Sequence, residues 1–230
     1  MKKNIMIAGS AGQGLKTVNN ILSNILFDKG FNVYSTKDYM SRIRGGHNFM
    51  KIRFGDEEIS SGSKKIDILI ALNKFSVTKH KDQLKKDGIV FYDGDLEDVN
   101  FINLNTKKLA KDLGNSKVSN IITIGAVIKA LGLSKKDIFK IIKKQFKKDQ
   151  ILDLNKKAFN KGYGLTEKKF DLSEINSQKD QLIINGNNAV GLGAAIGGVN
   201  FYSAYPMTPS TGIMNYLAKH ANDLNIVVEQ

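Results

Sequence analysis

The chain has no cysteine, only two prolines and only three arginines in 230 residues, and each scarcity narrows what it can do. Without cysteine it forms no disulfide, no thiolate zinc site and no cysteine nucleophile, and it ligates no iron–sulfur cluster, so any redox centre belongs to a partner. No apolar run approaches the roughly 18 residues that a membrane-spanning helix needs. The stretch after the N-terminus, Ile5 to Ala8, is strand-length and too short for the core of a signal peptide. A cytoplasmic chain with no membrane association is expected. The three histidines, His47, His80 and His220, fall at spacings that match no metal site, and no metal ligand is expected among them. Neither a Ser-His-Asp set nor a pair of carboxylates with acid–base spacing can be defended, so no catalytic residue is assigned.

What is present is globular in character. Hydrophobic residues make up 41%, charged residues 25%, and the mean hydropathy is −0.25. The length suits one large domain, or one domain with part of a second. The net charge of +13 resembles a nucleic-acid signature, but the lysines are scattered along the chain and a Lys/Asn/Ile-rich composition often follows codon bias. No nucleic-acid partner is expected; acidic small molecules or acidic proteins fit the charge equally well.

Composition changes along the chain. Both prolines, Pro206 and Pro209, and the glycine-dense stretch from Gly186 to Gly198 lie in the last fifty residues, whereas the most lysine-rich stretch runs from Ser134 to Lys169. This places a boundary between residues 165 and 180 and divides the chain into domains 1–175 and 176–230. The first alternates short apolar strands with amphipathic helices: strand Asn4–Ala8, helix Leu15–Lys29 ended by Gly30, strand Phe31–Ser35, strand Ile66–Leu72, a lysine-rich helix Lys74–Lys86, and strand Ile89–Tyr92. That rhythm predicts an α/β fold with a mainly parallel, doubly wound sheet. Arg42 to Phe54 reads as a loop entering an edge strand, and Asn120–Leu131 and Ser134–Lys148 as helices, the second capped by Ser134. The tail repeats the pattern: strand Leu182–Ile184, helix Asn188–Gly198, strand Val199–Ser203, helix Ser210–His220 and strand Ile226–Val228.

Three motifs carry chemistry. The first strand-to-helix turn is Gly9-Ser10-Ala11-Gly12-Gln13-Gly14, whose glycines let the backbone turn sharply and present amides at a helix N-terminus, where an anion is favoured. It matches neither phosphate motif fully. A dinucleotide loop spaces its glycines differently and wants an acidic residue after the second strand, and a Walker loop has Lys directly after Gly. Here Leu15 intervenes and turns Lys16 by about 100° around the helix. Second, all the arginines, Arg42, Arg44 and Arg53, fall within twelve residues, which suggests a fork-shaped guanidinium for a carboxylate, a phosphate or an interface pair. Third, Tyr205-Pro206-Met207-Thr208-Pro209-Ser210-Thr211-Gly212 brackets Thr208 with two prolines before a helix that Ser210 can cap, and so presents a small hydroxyl from a stiff turn.

Taken together, these strings resemble the 2-oxoacid:ferredoxin (or flavodoxin) oxidoreductases. Gly9 to Gly14, Ser41 to His47, Ile52-Arg53 and Asp67 to Ala71 are similar to the gamma subunit. Asn185 to Ala189 with Gly191 and Gly193, followed by Tyr205 to Gly212, is similar to the start of the alpha subunit. Gamma followed by alpha on one chain resembles the fused subunit of the 2-oxoglutarate synthase branch. The resemblance implies a Rossmann-like gamma domain followed by the first part of an α/β thiamine-diphosphate pyrimidine-binding domain. It implies oxidative decarboxylation of a 2-oxoacid to acyl-CoA, CO2 and reduced ferredoxin or flavodoxin. Thr208 then bonds the substrate near its carboxylate, and Gly9, Gly12, Gly14, Arg44, Gly45 and Gly46 lie on the coenzyme A side or at an interface. Thiamine diphosphate, Mg2+ and the iron–sulfur clusters are then held mainly by a separate beta subunit.

The family's alpha domain is expected to continue past Gln230, with its activating glutamate further on, so Glu229 is not given that role. The chain is then a truncated component, inactive alone, with helix faces such as Ile213, Tyr216 and Leu217 short of partners. Two other readings stand beside this one. One is a non-catalytic assembly module docking through Arg42 to Arg53. The other is a divergent P-loop-like nucleotide hydrolase with Ile89 to Asp93 as its second motif.

Overall fold

The apolar run at the N-terminus forms the central strand of a six-stranded sheet. In the computed structural model β1 (Lys2–Ser10) lies between β3 (His47–Gly55), antiparallel, and β4 (Ile66–Ala71), parallel. The sheet is completed by β2 (Asn32–Tyr39) on the outer side of β3, and by β5 (Leu84–Tyr92) and β6 (Phe101–Ile102), both parallel, beyond β4, giving the order β2-β3-β1-β4-β5-β6. The described residues are 1–39, 46–96, 100–136, 138–145, 149–172, 175 and 181–230. Met1–Lys179 and Asp180–Gln230 form two compact units.

Both faces of the first unit's sheet are covered, which is why β1 reads as a continuous apolar run. Its alternate residues part company: Ile5 and Ile7 join Ile52, Phe54, Ile68, Ile70, Ile89 and Phe91 in the larger core, while Met6 and Ala8 join Leu69, Ala71 and Val90 in the smaller one. The larger core is closed by α1 (Leu15–Asp28), α4 (Ser119–Ala130), α5 (Ile138–Gln145) and α6 (Asp149–Tyr163), with α3 (Thr106–Asp112) alongside. The smaller is closed by α2 (Lys74–His80), through Val77. Helices α4 and α6 cross at two glycines: a Cβ on Gly125 would lie 2.2 Å from the Phe159 carbonyl oxygen, and one on Gly162 1.8 Å from that of Ile122.

The second unit is small. Helix α7 (Gly186–Ile196), β7 (Phe201–Ser203), α8 (Thr211–Lys219), the single turn α9 (Ala221–Leu224) and β8 (Val227–Glu229) follow in order, and β7 and β8 pair in parallel. Of the 35 basic residues only Lys219 belongs to it, so the positive charge is a property of the first unit. Among the described residues no helix is long and apolar enough to cross a membrane.

Five expectations are corrected. Strand β3 is interior, because it forms a ladder with β1 over its whole length and another with β2. The lysine-rich helix stops at His80. A 3-10 turn, Lys81–Gln83, leads into β5, where Lys85 reaches back to the buried Asp67 at 3.0 Å. The helix expected over Ser134–Lys148 is shorter among the described residues: α5 begins at Ile138, and the Ser134 hydroxyl accepts from the Lys136 amide ahead of it. Leu182 to Ile184 form no strand and are exposed, having no ladder partner in the unit. Leu217 is fully buried and the Tyr216 ring lies over Gly191, whereas the apolar exposure falls on Val190, Ile196, Phe201, Tyr205, Met207 and Val227.

Candidate functional site

The glycine turn sits at the carboxyl end of β1, where parallel α/β sheets open a crevice for ligands. Gly12 (φ 88°) and Gly14 (φ 82°) adopt the left-handed region, so the direction of the chain into α1 depends on residues without a Cβ. Gly14 occupies the N-cap position, no side chain caps the helix, and its first turn contains no acidic residue. Leu15 turns into the core and Lys16 outward, so the lysine sits off the position a Walker loop requires. An uncapped, uncompensated helix N-terminus next to an open glycine turn is suited to an anion.

The turn is held by amide side chains that sequence reasoning missed. Gln13 accepts from the Ser10 amide at 2.6 Å and donates to the Leu72 carbonyl at 3.1 Å, tying the turn to the end of β4. Asn73 donates to the Ser10 hydroxyl (3.1 Å) and to Gln13 Oε1 (3.2 Å), while its own oxygen caps α2 by accepting from the Ser76 amide at 2.9 Å. Asn120, on α4, donates to the Gln13 carbonyl at 2.9 Å and lies where a Cβ on Gly14 would be. The only local signal was the asparagine after the β4 run; the other partners are about 60 and 107 residues distant in sequence.

Beside the turn lies a cavity of about 190 Å3 at the ends of β4 and β5, lined by Gln13, Leu72, Tyr92, Asp93, Thr106 and Asn120 among others. Asp93 does not face it as a free carboxylate. Its oxygens accept from the Thr106 amide (2.7 Å), the Thr106 hydroxyl (2.7 Å) and the Lys107 amide (2.8 Å), which caps α3. Three donors already engage this carboxylate and Lys16 sits off the Walker position, so the geometry lends the nucleotide-hydrolase reading no support.

The other site residues divide. Gly9 pairs with Asn48 at the end of the ladder, and the Gly46 carbonyl accepts from the Ala11 amide at 3.3 Å, so Gly9, Gly12, Gly14 and Gly46 do converge. Arg44 and Gly45 lie outside the described residues, as does Arg42. Arg53 stands apart: six residues beyond His47 along an extended strand, about 20 Å away, it donates to the carbonyls of Ser61 and Gly62 at 3.0 Å each. It therefore ties down a loop at the opposite end of β3 from His47.

Histidine reasoning also missed a contact. His47 at the start of β3 and His80 at the end of α2 meet with their Nε2 atoms 2.8 Å apart, in a buried setting flanked by Phe49 and Phe75. Burial holds His47 below its ordinary value, and burial with the neighbouring His47 and Lys79 pushes His80 down to about 4. His220 belongs to the second unit, where its ring lies tilted against that of Tyr216, with centroids 4.8 Å apart. Among the described residues no three metal-ligating side chains converge.

In the second unit Thr208 is exposed on the turn between β7 and α8, and the Thr208–Pro209 peptide is cis. The turn is tethered by Asn187 of α7, which donates to the Pro209 carbonyl at 2.7 Å across the Cβ-free side of Gly212. Ser210 does not cap α8 with its side chain; its hydroxyl donates to the Met207 carbonyl at 2.8 Å and closes the turn instead.

A profile of the pyruvate ferredoxin/flavodoxin oxidoreductase family matches residues 4–165. The chain is 27% identical, over 97% of its length, to the alpha subunit of a 2-oxoacid:ferredoxin oxidoreductase from a Sulfolobus species, and spans 43% of that relative. It is 30% identical over 70% of its length to the 2-oxoglutarate synthase subunit KorC of Archaeoglobus fulgidus, covering 86% of it. Among solved structures, a 2-oxoglutarate:ferredoxin oxidoreductase from Magnetococcus marinus, with 2-oxoglutarate, coenzyme A and succinyl-CoA bound, superposes on the whole chain with a TM-score of 0.88 at 27% identity, this chain covering 43% of it.

Proposed function

The chain belongs to the pyruvate ferredoxin/flavodoxin oxidoreductase family, and from that premise we propose that it supplies two parts of a 2-oxoacid:ferredoxin oxidoreductase. Residues 1–175 act as the gamma-type domain and 176–230 as the first part of the alpha-type pyrimidine-binding domain. The assembled enzyme oxidatively decarboxylates a 2-oxoacid to acyl-CoA and CO2, passing electrons to ferredoxin or flavodoxin. The observation that carries this reading is the uncapped N-terminus of α1 behind the left-handed Gly12 and Gly14, the first of them open on its Cβ side, in a chain whose fold matches that of an oxidoreductase with coenzyme A bound. In the first unit the Gly9–Gly14 turn, with Gly46 behind it, receives the anionic phosphates of coenzyme A. Arg44 and Gly45 belong to the same proposal.

The cofactors divide by donor chemistry. A chain with no cysteine offers no thiolate for an iron–sulfur cluster, so the clusters, Mg2+ and the diphosphate of thiamine are assigned to a beta subunit. Thiamine diphosphate, when bound, supplies the electron sink for decarboxylation. Towards it this chain contributes Thr208, whose exposed hydroxyl donates to the carboxylate of the 2-oxoacid, and Asn187, which holds the turn in place.

Titrating the 230-residue chain with coenzyme A while following its backbone amides tests the first assignment. Saturable shifts at Gly12, Gly14 and Lys16 are expected, and unmoved amides would leave the gamma-type domain a docking module. Thr208→Val, made in the enzyme assembled with its beta subunit, is expected to lose about 1–3 kcal/mol, roughly ten- to a hundredfold in kcat/KM for the 2-oxoacid. Unchanged kinetics would take Thr208 out of the site.

A further inference from the structure

Beneath the glycine turn lies a set of side chains for which the proposed function has no use. The His47 and His80 Nε2 atoms are 2.8 Å apart, and two ring nitrogens at that distance share one hydrogen: one ring donates and the other accepts. The direction is set from the far end. Lys51 Nζ, which can only donate, is 3.5 Å from Gln83 Oε1, and this turns the Gln83 amide nitrogen towards His80 Nδ1 at 2.9 Å. His80 Nδ1 therefore accepts, His80 carries its hydrogen on Nε2, and that hydrogen points at His47 Nε2. His47 is left with its hydrogen on Nδ1, a buried atom with no partner among the described residues.

The same pair bears on the turn. Helix α2 grips it at one end through Asn73, which donates to Ser10 and Gln13. At the other end His80 bonds His47, the register partner of Ser10 and the neighbour of Gly46, whose carbonyl receives the Ala11 amide. We propose that Lys51, Gln83, His80 and His47 form a directional hydrogen-bonded chain with one proton per imidazole, a clamp between α2 and β3 that makes the seat of the glycine turn acid-sensitive. His47 and His80 are positioning residues here and touch no substrate.

A second proton has no place in this arrangement. On His47 Nε2 it would face the His80 N–H, and on His80 Nδ1 it would face the Gln83 amide hydrogens. The charged groups around the pair are Asp38 from β2, which favours protonation, Lys79 from α2, which opposes it at both rings, and Lys51 from β3, which opposes it at His80. Burial is the largest influence on both rings and also opposes it. The folded protein then binds fewer protons than the unfolded chain between the ordinary histidine value of 6.5 and about 4. The pair's contribution to stability is complete above 6.5 and is lost as the pH falls through that window.

The proton order stands without the coenzyme A reading; only its consequence for anion binding rests on that reading. Nitrogen-15 spectra of the imidazoles in the ligand-free 230-residue chain, recorded from pH 8 to pH 4, test it directly. His80 is expected as the Nε2–H tautomer and His47 as the Nδ1–H tautomer, both neutral well below pH 6, with exchange protection of the Ala11 amide falling as the rings titrate. Gln83→Glu, which sets an acceptor opposite His80 Nδ1, is expected to raise the His80 titration by a unit or more, and His80→Gln to flatten the acid loss of stability. Titration of either ring at its ordinary value, or the same tautomer at both, would overturn the proposal whatever coenzyme A does. Failure of coenzyme A to bind, with the tautomers as stated, would overturn the function of the turn and leave the clamp standing.

Discussion

Gly162→Ala is expected to destabilise the first unit by about 3 kcal/mol, the upper end of what overpacking a core costs. The added methyl would lie 1.8 Å from the Ile122 carbonyl oxygen and 2.9 Å from the Ile122 Cα, so the obstacle is main chain within a helix and not the tip of a side chain. Relief requires α6 to move away from α4, and both helices are buried in the larger core through Ile121, Ile124, Ala158 and Phe159. Gly164→Ala is the control. Its Cβ would meet its nearest neighbours at 3.6 Å, an ordinary contact, and a change within about 0.5 kcal/mol is expected. Urea unfolding of the two variants separates the cases. Equal midpoints would mean that the helices do not approach as closely as the crossing requires.

Asp93→Ala is expected to cost about 2–3 kcal/mol, because three hydrogen bonds to a charged acceptor go at once and the first amides of α3 are left without a cap. Asp93→Asn retains one acceptor oxygen and should lose roughly half as much. The loss should be local, with amide exchange quickening at Thr106 and Lys107 before it does in β1. Addition of ATP with magnesium should restore nothing in the native protein or in either variant, since the carboxylate serves a helix and not a metal. A variant as stable as the parent, or stabilisation of the parent by the nucleotide, would return Asp93 to the list of ligand-binding residues.

Much of the first unit was legible in the sequence for a simple reason. Ile5 to Ala8 are apolar without alternation because both faces of β1 are covered, and such a run has no other stable place in a chain of this hydropathy. The glycine turn was legible because the left-handed backbone at Gly12 and Gly14 is a local requirement that glycine meets most readily. Strand β3 misled because Lys51 and Arg53 alternate with Met50 and Ile52, the pattern of a half-exposed strand. Its polar side chains are instead accommodated by the turn at Gln83 and the loop at Ser61 and Gly62, while ladders run on both sides.

The sequence by itself determined the α/β class, the place of the first turn, the absence of any thiolate ligand and the family, since each depends on composition or on residues adjacent in the chain. Tertiary structure alone decided the rest. Asp93 caps α3, Arg53 holds a loop, and Gln13, Asn73 and Asn120 brace the turn, because each needs a partner that the fold brings from elsewhere. His47 and His80 lie 33 residues apart, and only the docking of α2 on the sheet sets their rings 2.8 Å from each other. A side chain's chemistry is written in its sequence, but its protonation and its partners follow from what surrounds it in space.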